Sequence, residues 1–246
     1  MAIVVFGIHF GQFKKDFQFL KEHRSQIILL LLAAVIISIN WFTYIWAIAN
    51  NHVMDTSLGY YINPLLNVVL GVILFKEVLT TPKKLSVIIA TIGIALLTYQ
   101  VRSLPLISMI LAITFGLYGA VKKKVLIHPF TSIAVEAWLL TPLALLYTTV
   151  FDTTSWSYFG TDWYTALLLM GCGLTTAVPF ILFSYGAQLL PLNLLGFLQY
   201  LAPTIIFLLS IFYFEESFDI PNIIAFSCIW IALAIYTMSN QPKQTK

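Results

Sequence analysis

Charged residues are scarce in this sequence. Asp, Glu, Lys and Arg make up 9% of its 246 residues, whereas soluble domains carry about 25%. Hydrophobic residues make up 60%, and a soluble domain of this size could not bury so much apolar surface. We therefore expect an all-α polytopic membrane protein. Lipid would solvate its apolar side chains, and helices would satisfy the backbone within each span.

Cysteine and the common catalytic motifs are also nearly absent. Cys172 and Cys228 are the two cysteines and lie inside apolar segments, which fits neither a zinc site nor a disulfide framework. No basic patch alternates with aromatics, so we expect no nucleic-acid partner. The sequence has no GxxxxGK[ST], HExxH or GxSG motif, and Leu174 stands where a GxGD protease needs aspartate. We therefore expect no enzyme, no cofactor and no metal.

Eight apolar runs are long enough to cross about 30 Å of hydrocarbon as helices. They cover residues 27–49, 57–75, 85–100, 104–121, 129–151, 163–186, 191–213 and 220–238. The connections between them leave no room for a soluble domain. A further apolar run, Met1–Phe10, is too short to span. We interpret it as part of a helix whose beginning the chain lacks, with an interfacial segment as the alternative.

Basic residues are distributed unequally between the loops. When the loops are assigned alternately to two sides, twelve of the 13 Lys and Arg fall on one side and Arg102 alone on the other. Short basic loops stay on the cytoplasmic side. The sequence therefore predicts a cytoplasmic C-terminus.

Residues 58–98 and 196–237 are similar in sequence. A shift of 139 positions superimposes Tyr61 on Tyr200, Pro64 on Pro203, Phe75 on Phe214, Glu77 on Glu216 and Pro82 on Pro221. The copies lie an odd number of spans apart and therefore cross the membrane in opposite directions. Many secondary transporters use such inverted repeats to place one site near the midplane.

Short motifs along the whole chain point to a known family. They are NWFTYIWA at 40–47, DTSLGYYINPL at 55–65, KE at 76–77, FGLYG at 115–119 with KKK at 122–124, VE at 135–136 with Pro142, TAVP at 176–179 and GFLQYLAP at 196–203. Together these motifs resemble the EamA-type transporters of the drug/metabolite transporter superfamily.

The resemblance implies ten helices in two inverted five-helix repeats and a permease of the bacterial inner membrane. Its partners would be the lipid bilayer and a small organic metabolite or drug-like solute, moved by alternating access. Compared with the family, this chain lacks the first helix and most of the second. A non-transporting fragment or an assembly-dependent subunit is therefore the alternative. The oligomeric state, the direction and the coupling ion stay open.

The resemblance also suggests a division of the chain. Residues 1–125 hold the incomplete first repeat with the start of the second half, and residues 126–246 hold the remainder of the second repeat. The boundary between the repeats lies near Arg102. One membrane domain over 1–246 is the preferred description.

Glu136 is the one acidic residue well inside a predicted span, and no Lys or Arg accompanies it there. A charge at that depth is costly and usually marks the path of an ion or a substrate. Glu136 could therefore bind a cationic solute group or carry a coupling proton. Alternatively, it reaches the basic run 122–124 or hydrogen-bonds a neighbouring helix.

The repeated prolines mark a second candidate site. A proline inside a membrane helix frees a carbonyl one turn earlier, and Pro64 and Pro203 do so at matched positions. The polar side chains near enough to line a cavity there are Asn63, Asn67, Gln199, Tyr61 and Tyr200. We interpret them as two halves of one midplane site. Alternatively, they only hydrogen-bond neighbouring helices.

Asn40 and Trp41 form a third candidate group, late in the first complete span. An aromatic side chain there could stack on a planar or cationic ligand. It could equally anchor the helix at the membrane interface.

Overall fold

The computed structural model describes residues 10–101, 106–150, 163–213 and 220–239, which are almost entirely helical. The helices are α1 (Phe10–Glu22), α2 (Arg24–Ala49), α3 (Val53–Phe75), α4 (Thr81–Val101), α5 (Leu106–Lys124), α6 (Pro129–Val150), α7 (Trp163–Leu189), α8 (Leu192–Gln199), α9 (Leu201–Phe212) and α10 (Ile220–Ser239). Within these residues there is no β-strand.

The prediction of eight spans is confirmed. The described helices include eight segments that are long and apolar enough to cross a membrane. Several helices begin earlier than the apolar runs do: α2 begins at Arg24 and α3 at Val53. A hydrophobic run ends at the first polar residues, whereas helical hydrogen bonding continues through them. Large apolar side chains such as Phe42 and Met170 are 72% and 60% exposed, as expected where lipid is the solvent. The chain is an all-α polytopic membrane protein.

The polar run that precedes the first complete span is itself a helix, α1. Its Leu20 packs in a small core with Leu30, Val125 and Ile127. Its Asp16 is buried and accepts hydrogen bonds from Gln12 and from Thr131. Residues 1–9 lie outside the described part, so the interpretation of Met1–Phe10 stays a prediction.

The helical hydrogen bonding of the seventh span is interrupted at Tyr200, between α8 and α9, although Tyr200 keeps a right-handed helical backbone, with φ of −66° and ψ of −12°. Pro203 has no N–H group and cannot donate to the carbonyl of Gln199, four residues earlier. The last turn tightens as a result, and the N–H of Tyr200 bonds to the carbonyl of Phe197 at 3.2 Å. In contrast, α3 stays helical through Pro64.

The described residues form two compact units. Unit 1 draws on Met1–Ile36 and Val121–Leu189, and unit 2 on Ile37–Ala120 and Leu190–Lys246. Unit 2 has the larger core, made by α3, α4, α8 and α10 around Val68, Ile94, Phe197, Tyr200 and Tyr236. The predicted division into repeats at Arg102 is not tested by this grouping, and Arg102 lies outside the described residues.

Candidate functional site

Helices α3 and α8 of unit 2 cross in direct backbone contact. A Cβ atom at Gly196 would lie 2.6 Å from the carbonyl oxygen of Pro64 and 2.9 Å from Cβ of Asn67. A residue with a side chain at position 196 would therefore push the helices apart. Small residues allow this close approach in membrane proteins, and here it brings the polar side chains of the two helices together.

Three amide side chains meet at this crossing. The Oε1 atom of Gln199 accepts hydrogen bonds from Nδ2 of Asn63 at 2.5 Å and from Nδ2 of Asn67 at 3.0 Å. Asn63 is 5% exposed and Asn67 is fully buried. Asn63 and Asn67 lie one helical turn apart, on the same face of α3. We call these three residues the amide cluster.

The amide cluster leaves hydrogen-bonding capacity unused. The Oδ1 atoms of Asn63 and Asn67 and the Nε2 atom of Gln199 are buried and have no hydrogen-bond partner. Both oxygens face Gly116 of α5, where a Cβ atom would lie 3.6 Å from each. The missing side chain of Gly116 therefore leaves space beside the two oxygens. Such unpaired buried groups cost about 1–3 kcal/mol each, which a polar ligand could offset.

A cleft adjoins the amide cluster within unit 2. It is narrow, with a volume of about 20 Å³ that holds about one water molecule, and its lining residues are Asn40, Thr56, Gly59, Tyr60, Asn63, Leu111 and Phe115. Asn63 thus belongs to both the cleft and the cluster. The wall is mainly apolar and aromatic, and none of the seven residues carries a formal charge. This composition is typical of small-molecule sites, although an organic solute would enter only if the helices around the cleft moved apart.

Asn40 is held in place at the wall of the cleft. Its Nδ2 atom donates to the carbonyl of Leu111 at 2.9 Å and to Oγ1 of Thr114 at 2.8 Å. Trp41 is the next residue on α2; its side chain is 40% exposed and is not part of the cleft lining. The structure therefore places Asn40 at the site and Trp41 outside it.

The matched tyrosines are in contact. The hydroxyl of Tyr200 donates to the backbone carbonyl of Tyr61, its counterpart in the repeat, at 3.4 Å. Tyr200 is fully buried in the core of unit 2, and Pro203 is buried one turn later. Tyr61 packs edge-on against Phe226. The hydrogen bond between Tyr200 and Tyr61 places the interrupted turn of the seventh span close to Pro64 of α3.

Glu77 ties the end of α3 to the start of α8. Its carboxylate accepts the backbone N–H of Leu192 at 2.6 Å and that of Asn193 at 2.9 Å. Pro191, the N-cap residue of α8, has no side-chain hydrogen bond to the helix, so Glu77 satisfies two N–H groups there. A carboxylate at this end is also favoured by the helix dipole. Lys76 makes the contact possible: it adopts a left-handed conformation, with φ of 54°, and reverses the chain after α3.

Replacing Glu77 with glutamine should lower the free energy of unfolding by about 1 kcal/mol. Glutamine keeps the shape but has one acceptor oxygen and no charge to offer the N-terminus of α8. Thermal unfolding of the purified protein in detergent measures the change. Glu22, an exposed residue at the end of α1, gives the control Glu22→Gln, for which we expect no shift. Equal melting temperatures for the two variants would contradict this role of Glu77.

A buried ion pair lies in unit 1. Nζ of Lys122 lies 2.6 Å from Oε1 of Glu136, and Lys122 also donates to the hydroxyl of Ser132. Lys122 and Glu136 are 0% and 4% exposed. No Lys or Arg accompanies Glu136 within its own helix, but Lys122, the last residue but two of α5, extends to it. The alternative, in which Glu136 reaches the basic run, describes the structure.

The structure brings together Asn63, Pro64, Tyr61, Gln199 and Tyr200, with Pro203 one turn away and Asn40 across the cleft. Glu136 belongs to the other unit. Sequence reasoning did not nominate Gly116, Gly196, Glu77 or Lys122. Only Glu77 carried a usable signal, its match to Glu216 in the repeat; Glu216 lies outside the described residues. Within the described ranges no three His, Cys, Asp or Glu side chains are grouped so that they could hold a metal ion.

Known proteins resemble the chain in sequence and in fold. Residues 1–99 match the EamA-like transporter family. An uncharacterised transporter of Pseudomonas aeruginosa is 40% identical, over 96% of this chain and 78% of its own length. The uncharacterised transporter YojE of Bacillus subtilis is 39% identical, over 98% and 80%, and protein RarD of Escherichia coli is 38% identical, over 87% and 73%.

One solved crystal structure matches with a TM-score of 0.66 at 18% identity, covering 87% of this chain and 78% of that one. At this identity it supports the fold alone. The sequence matches extend across most of the chain, and two of these three relatives are named transporters. The chain is a multi-pass membrane transporter that belongs to the EamA-like transporter family, close to RarD.

Proposed function

We propose that the chain is a secondary permease of the bacterial inner membrane that binds the polar group of a small organic solute at the amide cluster. The observation that carries the proposal is the set of unpaired amide atoms on Asn63, Asn67 and Gln199, buried within membrane-spanning helices. Hydrocarbon offers no hydrogen-bonding partner to such groups. Because these groups have no partner within the described part of the protein, they are free to bond to the polar group of a solute.

The interruption of helical hydrogen bonding at Tyr200 marks a position where this span can bend. Discontinuous helices near the midplane are the usual elements of binding sites in secondary transporters. Here the break adjoins the amide cluster, since Gln199 is the last residue of α8. A change in the angle between α8 and α9 would move the Gln199 amide relative to α3. Binding and rearrangement would thus be linked at one residue.

We propose that the contacts of Glu77 close the transporter on one side of the membrane. In the predicted orientation, with the C-terminus in the cytoplasm, Glu77 follows the cytoplasmic end of α3. Its two hydrogen bonds to α8 join the start of the broken span to α3 on that side. Opening towards the cytoplasm would require these bonds to break. The inverted repeats predicted from the sequence would let the other half do the same at the outer face.

The experiment compares metabolites inside and outside cells that express the full chain, the Asn67→Leu variant or an empty vector. We expect at least one small organic solute to be redistributed several-fold by the wild-type chain and not by the variant. Leucine has the same branching and the same number of side-chain heavy atoms as asparagine but no amide. Asn50→Leu is the control, because Asn50 is exposed at the end of α2.

Two results would decide against the proposal. A wild-type profile identical to that of the empty vector would favour a non-transporting or assembly-dependent chain. A solute that the Asn67→Leu variant moves as fast as the wild type would place the binding site elsewhere. Western blots of membrane fractions verify equal amounts of each protein.

A further inference from the structure

The amide cluster can present two different hydrogen-bonding patterns to a solute. In the structure, the Oδ1 atoms of Asn63 and Asn67 are available as acceptors, and the Nε2 atom of Gln199 is available as a donor. An amide oxygen and an amide nitrogen are nearly equal in size. If the oxygen and nitrogen of all three amides exchange places by rotation, the NH₂ group of Gln199 donates one hydrogen to each asparagine oxygen. Both hydrogen bonds between Gln199 and the asparagines are then kept. The cluster then presents two donor NH₂ groups and one acceptor oxygen.

Among the described residues, neither the amide cluster nor the lining of the cleft carries a formal charge. The three amides are neutral, and so are the seven residues that line the cleft. On α3 the nearest acids are Asp55 and Glu77. Asp55 precedes Asn63 by eight residues, about 12 Å along a helix, at the end of the cleft beside Thr56. Its Oδ2 atom bonds to His52, and its Oδ1 atom is buried without a partner in the described part of the protein. Glu77 follows Asn67 by ten residues, about 15 Å, and is bonded to the start of α8.

We infer that the site selects uncharged solutes that carry a carboxamide-like head, with both a donor and an acceptor, on a small apolar or aromatic body. A carboxamide complements either pattern of the cluster. A carboxylate or an ammonium would satisfy some of the same hydrogen bonds but would bring an unpaired charge into a low-dielectric site, which is strongly unfavourable. Tyr60, Leu111 and Phe115 provide the apolar wall for the body. This inference rests on the proposed permease function and specifies its substrate class.

Three pyridines of nearly equal size test the inference. Nicotinamide carries a neutral carboxamide, nicotinate a carboxylate, and 3-(aminomethyl)pyridine an ammonium at neutral pH. Their binding to the full chain in lipid nanodiscs is measured by calorimetry at pH 7. We expect nicotinamide to bind at least about tenfold more tightly than either ion. Equal or tighter binding of an ion, or no detectable binding of nicotinamide at millimolar concentration, overturns the inference.

Two variants test whether the expected preference for nicotinamide depends on the amide cluster. Asn67→Asp should weaken nicotinamide binding about tenfold and raise the relative affinity for the ammonium compound, because a carboxylate replaces one amide. Gly116→Ala should weaken all three, because its methyl group fills the space beside the two oxygens and displaces only the flexible end of Leu70, 3.1 Å away. Asn50→Asp is the control. If Asn67→Asp and Gly116→Ala both bind the three compounds like the wild type, the inference is wrong.

Counterflow in proteoliposomes separates this inference from the permease proposal. If nicotinamide binds with the expected preference but never crosses the membrane, the substrate class stands and the permease proposal fails. If a charged solute crosses, and the Asn67→Leu variant stops it, the permease proposal stands and the substrate class is wrong. Both stand if nicotinamide crosses and nicotinate and the amine do not.

Discussion

Replacing Gly196 with alanine should abolish transport and destabilise the protein by several kcal/mol. The new Cβ atom would lie 2.6 Å from a backbone carbonyl of Pro64 and 2.9 Å from Cβ of Asn67. Neither atom is the end of a flexible side chain, so the two helices must separate. Overpacking a tight core typically costs about 1–3 kcal/mol, and separation here also breaks the bonds between Gln199 and α3. Thermal unfolding in detergent and the transport assay measure the two effects.

Glycines elsewhere in the chain provide a matched control for that substitution. At Gly171 and Gly173 of α7 a Cβ atom would meet nothing within 4 Å. Alanine is the better helix former by about 1 kcal/mol, so Gly171→Ala and Gly173→Ala should leave stability unchanged or raise it. A Gly196→Ala protein as stable as these two would show that α3 and α8 can separate without cost.

Neutralising Glu136 alone should destabilise the protein by about 3–5 kcal/mol. Glutamine would leave the ammonium of Lys122 buried without its counter-charge, and breaking one side of a buried pair typically costs that much. In the double variant Lys122→Met/Glu136→Gln no charge remains, and we expect most of the loss to be recovered. Lys124→Met, at an exposed position in the same basic run, should change the melting temperature little. A double variant as unstable as Glu136→Gln would contradict this account of the pair.

The same double variant tests whether the pair couples transport to protons. A coupling residue must be charged and titratable, whereas a structural pair can be replaced by neutral residues. If Glu136 carries the coupling proton, the folded double variant should lose solute accumulation driven by a pH gradient while keeping counterflow. Unchanged accumulation would assign Lys122 and Glu136 a structural role. The Glu136→Gln variant cannot make this distinction, because it leaves Lys122 without a counter-charge and would lose transport through instability alone.

The sequence predicted the helices well because the bilayer imposes a simple local rule. Every span must be apolar over about 20 residues, and all eight such runs correspond to helical segments long enough to cross a membrane. It could not predict that the seventh would divide at Tyr200 while α3 stays continuous through Pro64. Both helices contain proline, so the presence of proline alone does not predict which helix is interrupted.

The sequence predicted which polar residues lie near one another better than it predicted which of them face the cleft. The matched positions of Tyr61 and Tyr200 suggested that the two copies meet, and a hydrogen bond joins these residues. Trp41, nominated with Asn40, is not part of the cleft lining. Adjacent residues on a helix point about 100° apart, so only one of the two can face a given neighbour.

The sequence by itself determined the solvent, the number of complete spans and the family, because composition, run length and motif spelling are local properties. The tertiary structure decided which polar groups meet. Gln199 joins Asn63 and Asn67 across 136 and 132 positions of the chain, and Glu77 reaches Leu192 across 115. No local pattern encodes such pairings. They depend on the angle and distance at which α3 and α8 cross, and the absence of a side chain at Gly196 permits that distance.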